Sequence, residues 1–427
     1  MNRFIRIEDT DIMLIDGDRG INYPSKNEFY NSEYCLFLDA GNITNEGFDF
    51  SETHFITKEK DELLRNGKLQ RNDIVMMTRG SVGNVALYDE TVHYDNVRIN
   101  SGMVIIRCKK EFNPLQLYYL LKSTFVQKQI LDMLSGSVQK QLPVSIINKI
   151  QLLNNRINVD AVYAVDKKIK NNIKINIELE SMAKTIYDYW FLQFEFPNED
   201  GKPYKSSGGK MVWNEELKRE IPEGWKIETL GNLFTSNRGI SYNSKTIEGD
   251  GVPMINLASF NVNGSYKERG IKVYSGEYSQ DKVIKPFDLV ICNTQQTAID
   301  YKKDIIGRAF LVPDIFERDI VTSHHVTTIH VKKDNMKYFL HRFFNTDYFH
   351  KYVAGFTNGT NILGLIFGGI EKYRLEIPSD YVLDKFAELM LDIEMKKSRI
   401  IKENQELASL RNFLLPLLMN GQVGFKD

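Results

Sequence analysis

Arginine, lysine and tyrosine recur at the same spacing in two loops that lie about half a chain apart. The first loop reads DRGINYPSK (residues 18–26) and the second reads NRGISYNSK (residues 237–245), with six of nine letters unchanged. Arginine can form paired hydrogen bonds with guanine or phosphate, and lysine can neutralise phosphate. Tyrosine can pack against a sugar or a base. These side chains predict nucleic-acid contacts by Arg19, Tyr23, Lys26, Arg238, Tyr242 and Lys245.

The same loops can also be solvated turns in which glycine permits a strained backbone. We favour this structural interpretation for the glycines and for Ile21 and Ile240. For the arginines and lysines both interpretations remain open.

A second pair of loops follows two β-type runs, DIV and DLV. TRGSVGN (residues 78–84) carries an arginine between glycines, whereas NTQQTA (residues 293–298) carries asparagine and glutamine, which suit adenine. Domains that read different sequences would need such a difference. A third pair reads SGSV (residues 135–138) and NGTN (residues 358–361). The predicted contact residues in and beside these loops are Arg79, Ser81, Asn84, Lys140, Thr294, Gln295, Gln296, Asn358 and Asn361.

Ordered matches along the whole chain show why the loops occur twice. LQRNDIV (residues 69–75) matches IKPFDLV (residues 284–290), and ELESM (residues 178–182) matches ELASL (residues 406–410). Their order is preserved, as in a tandem duplication. Each copy begins with short β-type runs separated by Gly and Asn turns and continues into a helical stretch. The predicted fold is therefore α+β, with two globular α/β domains and two long helices.

The two predicted helices carry matching apolar stripes at alternating spacings of three and four, as in a coiled coil. Each helix would be roughly 50 Å long, and the two stripes could bury each other in an antiparallel pair. The seam and partner-docking positions are Val165, Leu179, Ile186, Trp190, Ile393, Ile400, Leu407 and Leu414. The same spacing places Met182, Tyr189, Leu389 and Leu410 in the seam. The segment between the copies, residues 196–225, is rich in Pro, Gly and Ser and is predicted to be an irregular connector.

Composition limits the function classes. The 427 residues are 42% hydrophobic and 26% charged, with a net charge of −1, which argues against coating nucleic acid non-specifically. No run is long and apolar enough for a membrane span. The three isolated cysteines suggest a reducing compartment, and we expect a cytoplasmic protein.

Motifs for catalysis are missing from the sequence. There is no GxxxxGK[ST] phosphate loop, GxSxG elbow or HExxH pair. We set aside a metal site at His324–His325 because neighbouring residues on a strand point to opposite faces. Two domains without a catalytic set are best explained as a bivalent recognition device, whose half-sites on a duplex would lie about one helical turn apart.

Two segments resemble a known family. KTIYDYWFLQFEFPNEDGKPYKSSGGKMVWNEELKREIPEGW (residues 184–225) and LASLRNFLLPLLMNGQV (residues 407–423) are similar to the specificity subunit of type I restriction–modification systems. The resemblance implies target-recognition domains at residues 1–156 and 226–380 and conserved helical regions at residues 157–195 and 381–427. Residues 196–225 form the connector between the two halves.

The resemblance also implies partners. Each recognition domain would read one half of a split sequence in double-stranded DNA, and the helices would dock two methyltransferase subunits, which restriction subunits would join. S-adenosylmethionine, ATP and Mg would belong to these partners, with no cofactor in this chain. The alternatives are a recognition subunit of a modification-only complex, an enzyme in its own right, and a coiled-coil scaffold for two modules that do not bind DNA.

Overall fold

The structure is a computed structural model that describes residues 3–135, 141–154, 157–296, 304–359, 362–419 and 422–423. The chain divides into two compact units, Met1–Lys168 with Leu407–Asp427, and Ile169–Glu406. Among the described residues, no helix is both long enough and apolar enough to cross a membrane.

The described residues of the α/β domain of the first unit form short strands and four α-helices. Its strands are β1 (Phe4–Arg6), β2 (Met13–Asp16), β3 (Cys35–Phe37), β4 (Ile43–Thr44), β5 (Gly47–Phe48), β6 (Phe55–Ile56), β7 (Ile74–Met77), β8 (Val85–Leu87), β9 (Val97–Arg98), β10 (Met103–Arg107) and β11 (Gln151–Leu153). Its helices are α1 (Lys58–Leu63), α2 (Pro114–Lys122), α3 (Thr124–Ser135) and α4 (Val144–Ile147). The long helix α5 (Asp160–Tyr187) follows and continues into a short π-helix at Asp188–Leu192.

The second unit repeats this arrangement after a two-stranded segment. The strands are β12 (Met211–Asn214), β13 (Arg219–Pro222), β14 (Lys226–Thr229), β15 (Phe234–Arg238), β16 (Val252–Ile255), β17 (Lys272–Tyr274), β18 (Val283–Ile284), β19 (Leu289–Cys292), β20 (Thr294–Gln296), β21 (Ala309–Leu311), β22 (Ile320–Thr322), β23 (Val326–Val331), β24 (Thr357–Asn358), β25 (Ile362–Leu365) and β26 (Arg374–Ile377). The helices are α6 (Met336–Phe344), α7 (Asp347–Ala354), α8 (Phe367–Glu371) and α9 (Asp380–Met419).

The sheets show the duplication directly. In the first domain, a four-stranded antiparallel sheet has the order β2-β10-β7-β8, and the second domain has β15-β23-β19-β21 in the same roles. Each domain also pairs two strands in parallel, β3 with β9 and β16 with β22. The central strands β7, β10 and β19 are almost entirely buried, because both faces of the sheet are covered by apolar side chains. The predicted tandem pair of α/β domains is confirmed.

The prediction of an irregular connector at residues 196–225 is wrong. Strands β12 and β13 pair as an antiparallel hairpin within this segment. Phe196, Ile221 and Trp225 are buried in the same core as the helices of the second unit, and the Phe196 and Trp225 rings stack with centroids 5.4 Å apart. The Pro, Gly and Ser content concealed these apolar anchors, which make the segment part of the packed structure.

The long helices contact each other in an antiparallel sense within each unit. In the second unit, Asn172 of α5 donates to Glu403 of α9 at 2.8 Å, and Glu180 of α5 accepts from Lys397 of α9 at 2.6 Å. A later residue of α5 therefore contacts an earlier residue of α9, as in an antiparallel pair. In the first unit, Arg411 donates to Asp166 at 2.8 Å.

The predicted seam is correct in part of its length and wrong in the rest. Leu179, Ile393 and Ile400 are buried, and Val165, Ile186, Trp190, Leu407 and Leu414 are half-buried. Four other stripe positions are exposed, namely Met182, Tyr189, Leu389 and Leu410. Ala183, Tyr187 and Met390 are buried instead. A strict repeat of 3.5 residues drifts around a straight helix of 3.6 residues per turn, so the stripe gradually leaves the buried face.

Candidate nucleic-acid interface

In the first domain, two of the predicted loops meet at the turn that precedes β10. Arg19 Nη2 donates a hydrogen bond to the carbonyl oxygen of Ser101 at 3.2 Å, and the backbone N–H of Thr78 donates to the carbonyl of Gly102 at 2.8 Å. Arg79 follows Thr78 directly, and its side chain is exposed. The loops around Arg19 and Arg79 are therefore held against one turn.

The second domain places the equivalent residues in the same way. Arg238 Nε donates to the carbonyl oxygen of His324 at 2.8 Å. Asn293, at the start of the second loop, donates its side-chain amide to the same carbonyl at 3.2 Å and its backbone N–H to the carbonyl of His325 at 3.0 Å. We call residues 100–102 and 323–325 the convergence turns, because two candidate loops meet at each of them.

The segments that follow the third pair of loops lie beside the second pair, while residues 136–138 and 360–361 of the third loops themselves lie outside the described residues. In the first domain, Leu142 donates its backbone N–H to the carbonyl of Thr78 at 2.9 Å. Leu365 makes the same bond to Asn293 in the second domain, also at 2.9 Å. There β25 pairs with both β20 and β24, which brings Thr294–Gln296 and Asn358 into one small sheet.

Each arginine loop has its own anchor at its first position. In the first domain Asp18 accepts backbone N–H groups from Gly20 at 2.7 Å and Arg65 at 2.8 Å. Hydrogen bonds from the Arg65 side chain and from these N–H groups hold the pKa of Asp18 far below its usual range. In the second domain Asn237 stands at this position and accepts from Lys282 Nζ at 2.6 Å. Both loops are thus held in a defined shape.

The tyrosines and lysines of these loops differ in placement. Tyr23 is half-buried and packs edge-on to Phe37, with ring centroids 5.6 Å apart. Tyr242 is also half-buried, and its hydroxyl accepts from Lys272 Nζ at 3.0 Å. Lys26 and Lys245 are exposed. The lysines are therefore available to phosphate, while each tyrosine has a packing role inside its domain.

The structural interpretation agrees with Gly239, where close backbone packing requires glycine, and with Ile21, which lies in a solvated turn. A Cβ on Gly239 would lie 2.3 Å from the carbonyl oxygens of Thr322 and Ser323, so only glycine permits this close approach. Ile240 is half-buried and donates its backbone N–H to Thr322 at 2.7 Å. Ile21, by contrast, is fully exposed beside Arg19. Ile240 forms a β-bridge with Ser323. Among the described residues Ile21 has no equivalent bridge, and its side chain is exposed to solvent.

The remaining predicted contacts fall into three groups. Arg79, Ser81 and Asn358 are exposed. Asn84 donates its side-chain amide to the carbonyl of Ile43 at 3.4 Å, and the buried Thr294 donates its hydroxyl to Asn293 at 2.8 Å. Gln295 accepts from the backbone N–H of Ile305 at 3.2 Å. These three side chains have partners within their own domain. Lys140, Asn361 and the side chain of Gln296 lie outside the described residues.

Strand alternation does not separate His324 and His325, contrary to the prediction. They lie in a turn between β22 and β23, and their ring centroids are 3.8 Å apart. The rings therefore share one location, which strand alternation would have excluded. Within the described parts of the chain, no group of three or more His, Cys, Asp or Glu side chains could hold a metal ion.

The helices of the second unit carry an apolar row on their outer side. Met182 and Tyr189 are exposed, and their spacing of about two helical turns places them on one face. Leu389 of α9 is also exposed. The sequence pattern predicted all three in the seam. Their apolar character indicated the helices correctly, but these side chains do not lie on the buried face.

Comparison with known proteins identifies the family. The family described as type I restriction modification DNA specificity domain matches residues 10–181 and 222–407. The two matches cover most of the chain and contain both convergence turns. The chain belongs to this family, and it is a specificity subunit of a type I restriction–modification system.

Individual relatives agree with this assignment. The MjaIX specificity subunit of Methanocaldococcus jannaschii is 23% identical over 84% of this chain and 79% of its own length. The HindI specificity subunit of Haemophilus influenzae is 19% identical over 95% of this chain and 98% of its own. The crystal structure of an S subunit from M. genitalium has the same fold, with a TM-score of 0.56 and 15% identity over 99% of this chain and 96% of that one.

Proposed function

We propose that each α/β domain of this chain reads one half of a bipartite target in double-stranded DNA. The observation that carries the proposal is the repeated geometry of the convergence turns. Arg19 and Arg238 occupy equivalent positions, and each donates to the carbonyl at the equivalent position of its own convergence turn. Each arginine lies beside a loop whose sequence differs between the domains. A shared scaffold with different reading groups is what two half-sites of different sequence require.

The arginines and the neighbouring loops have different roles in this proposal. Arg19 and Arg238 position phosphate, since they are common to both domains. Arg79 and Gln295–Gln296 lie where the domains differ and contribute to base choice.

The helices dock two methyltransferase subunits. The exposed apolar side chains of Met182 and Tyr189 support this docking. Apolar patches on a protein surface commonly mark sites that bind another protein. The chain itself has no catalytic role, and S-adenosylmethionine, ATP and Mg bind the methyltransferase and restriction subunits.

The test combines the purified chain with its methyltransferase and compares the mixture with each component alone. Methyl transfer to DNA that holds the target is expected only from the mixture. Sequence-dependent methylation by the methyltransferase alone, or methyl transfer by the chain alone, would contradict the proposal.

A further inference from the structure

The second domain has two histidines at its convergence turn, where the first domain has Ser101 and Gly102. His324 and His325 are both partly exposed. The turn is fixed from two sides, by Arg238 on the carbonyl of His324 and by Asn293 on the carbonyl of His325. A side chain on such a turn is presented to a ligand by the same framework that holds the two candidate loops.

The rings form a cluster with tilted and edge-on contacts. The His324 and His325 centroids are 3.8 Å apart, and Tyr242 lies beside them with its centroid 5.6 Å from His324 and 6.4 Å from His325. Tyr242 is itself held by Lys272, whose Nζ lies 4.6 Å from the ring centroid. Contact with the His324 and Tyr242 rings restricts the orientation of His325, so little side-chain entropy is lost when a ligand binds.

Burial and nearby positive charges favour the neutral form of both imidazoles. Burial, His324 and the positive charges of Arg238 and Lys272 lower the pKa of His325 to about 4. Burial and Arg238 also lower the pKa of His324. A neutral imidazole does not neutralise phosphate, but its accessible nitrogen can donate or accept one hydrogen bond at a base edge, depending on the tautomer.

Each ring has one nitrogen that a ligand cannot reach. Nδ1 of His324 and Nδ1 of His325 are buried, with no hydrogen-bond partner among the described residues. Nε2 is then the nitrogen of His325 that can contact a ligand.

We propose that His325 is a base-reading residue of the second domain, held in position by ring contacts with His324 and Tyr242. The inference rests on the proposed function of this domain in DNA recognition. It identifies the second-domain half-site as one read partly by a neutral imidazole, which has no equivalent in the first domain because Gly102 has no side chain.

The test uses the chain in complex with its methyltransferase and measures affinity for the target and for targets altered in either half. His325→Ala should reduce discrimination in one half-site by about tenfold and leave the other half-site unchanged. The dependence of affinity on salt should not change, because no phosphate charge is neutralised. The matched control is His330→Ala, an exposed histidine on β23 of the same domain.

A pH series separates base reading from phosphate binding. The ratio of wild-type to His325→Ala affinity should stay constant between about pH 6 and 8, since the imidazole is neutral throughout. If this ratio rises as the pH falls, and if the salt slope of His325→Ala is smaller than that of the wild type, an imidazolium contacts phosphate and the inference is overturned. Unchanged discrimination in His325→Ala would overturn it as well. If the wild-type complex shows no half-site preference at all, the proposed function fails first.

Discussion

At the scale of single residues, the duplicated arginines carry the clearest expectation. Arg19 and Arg238 occupy equivalent positions and make equivalent bonds to the convergence turns. Replacing either with alanine should weaken binding to all DNA sequences to a similar extent and lower the salt slope by about one unit, because one phosphate contact is lost. DNA affinity of the methyltransferase complex at several salt concentrations measures both quantities.

The matched control is Arg318→Ala. Arg318 is an exposed arginine of the second domain whose ion-pair partner is Asp250, at 2.8 Å, and not a residue of the convergence turn. It should leave the salt slope unchanged. Loss of half-site discrimination in Arg19→Ala with an unchanged salt slope would make the arginine a reader of bases.

Most predictions about single residues came from the sequence repeat, and the errors concern contacts that the repeat does not reveal. The repeated letters indicated Arg19 and Arg238 correctly as a structural pair. They gave no warning that Ile21 and Ile240 would differ in exposure, since that depends on a backbone bridge made by only one of them. Lys272 and Lys282 were missed because their contacts with Tyr242 and Asn237 are long-range. The substitution of Asn237 for Asp18 was the available signal that the loops are anchored differently.

At the scale of elements, α5 has a buried face and an exposed apolar residue, Met182, that can be tested separately. Leu179 is 8% exposed, while Met182 is 47% exposed three residues later. Leu179→Asp should destabilise the protein by several kcal/mol, because an unpaired charge enters an apolar core. Met182→Asp should leave stability unchanged and reduce co-purification of the methyltransferase. Thermal unfolding and pull-down of both variants provide the measurement.

The opposite pattern would contradict the assignment of faces. If Met182→Asp unfolds the chain while Leu179→Asp retains its stability, the seam predicted from the 3.5-residue repeat is correct and the observed burial is not. Loss of stability in neither variant would show that this part of α5 contributes little to packing.

A buried ion cluster links α5, α6 and α9 within the second unit. Arg342 pairs with Glu180 and with Glu394, the latter at 2.7 Å, and Lys397 contacts both glutamates. Burial alone would raise the pKa of Glu180, but Arg342 and Lys397 lower it well below the usual range. Removing one member of such a cluster leaves an uncompensated buried charge.

Arg342→Met should therefore cost about 3–5 kcal/mol of unfolding free energy, measured by denaturant titration. The lowered pKa of Glu180 means that its contribution is present above the unfolded value of about 4.3 and is lost as the pH falls through the folded value. Stability should thus decline on acidification below about pH 4, and the decline should be smaller in Glu180→Gln. An Arg342→Met variant as stable as wild type would show that the cluster is energetically neutral.

Periodicity and repetition predicted the elements better than composition did. The long helices followed from apolar spacing, although the 3.5-residue repeat failed at Met182 and Leu389 for the reason of helical drift. Composition misled at residues 196–225, where Pro, Gly and Ser suggested a loose connector. The buried Phe196 and Trp225 show that two well-spaced aromatic residues can make such a segment part of a core.

At the scale of the whole molecule, we expect one chain to carry two domains that each recognise part of one DNA duplex. The central measurement is methylation mapping of a genome in a host that expresses this chain with its methyltransferase and has no other methylation of its own. We expect a motif of two specified parts separated by an unspecified spacer of fixed length. With Arg79→Ala the preference should relax in one part, and with His325→Ala it should relax in the other. A single contiguous motif, or relaxation of the same part by both variants, would contradict the assignment of one half-site to each domain.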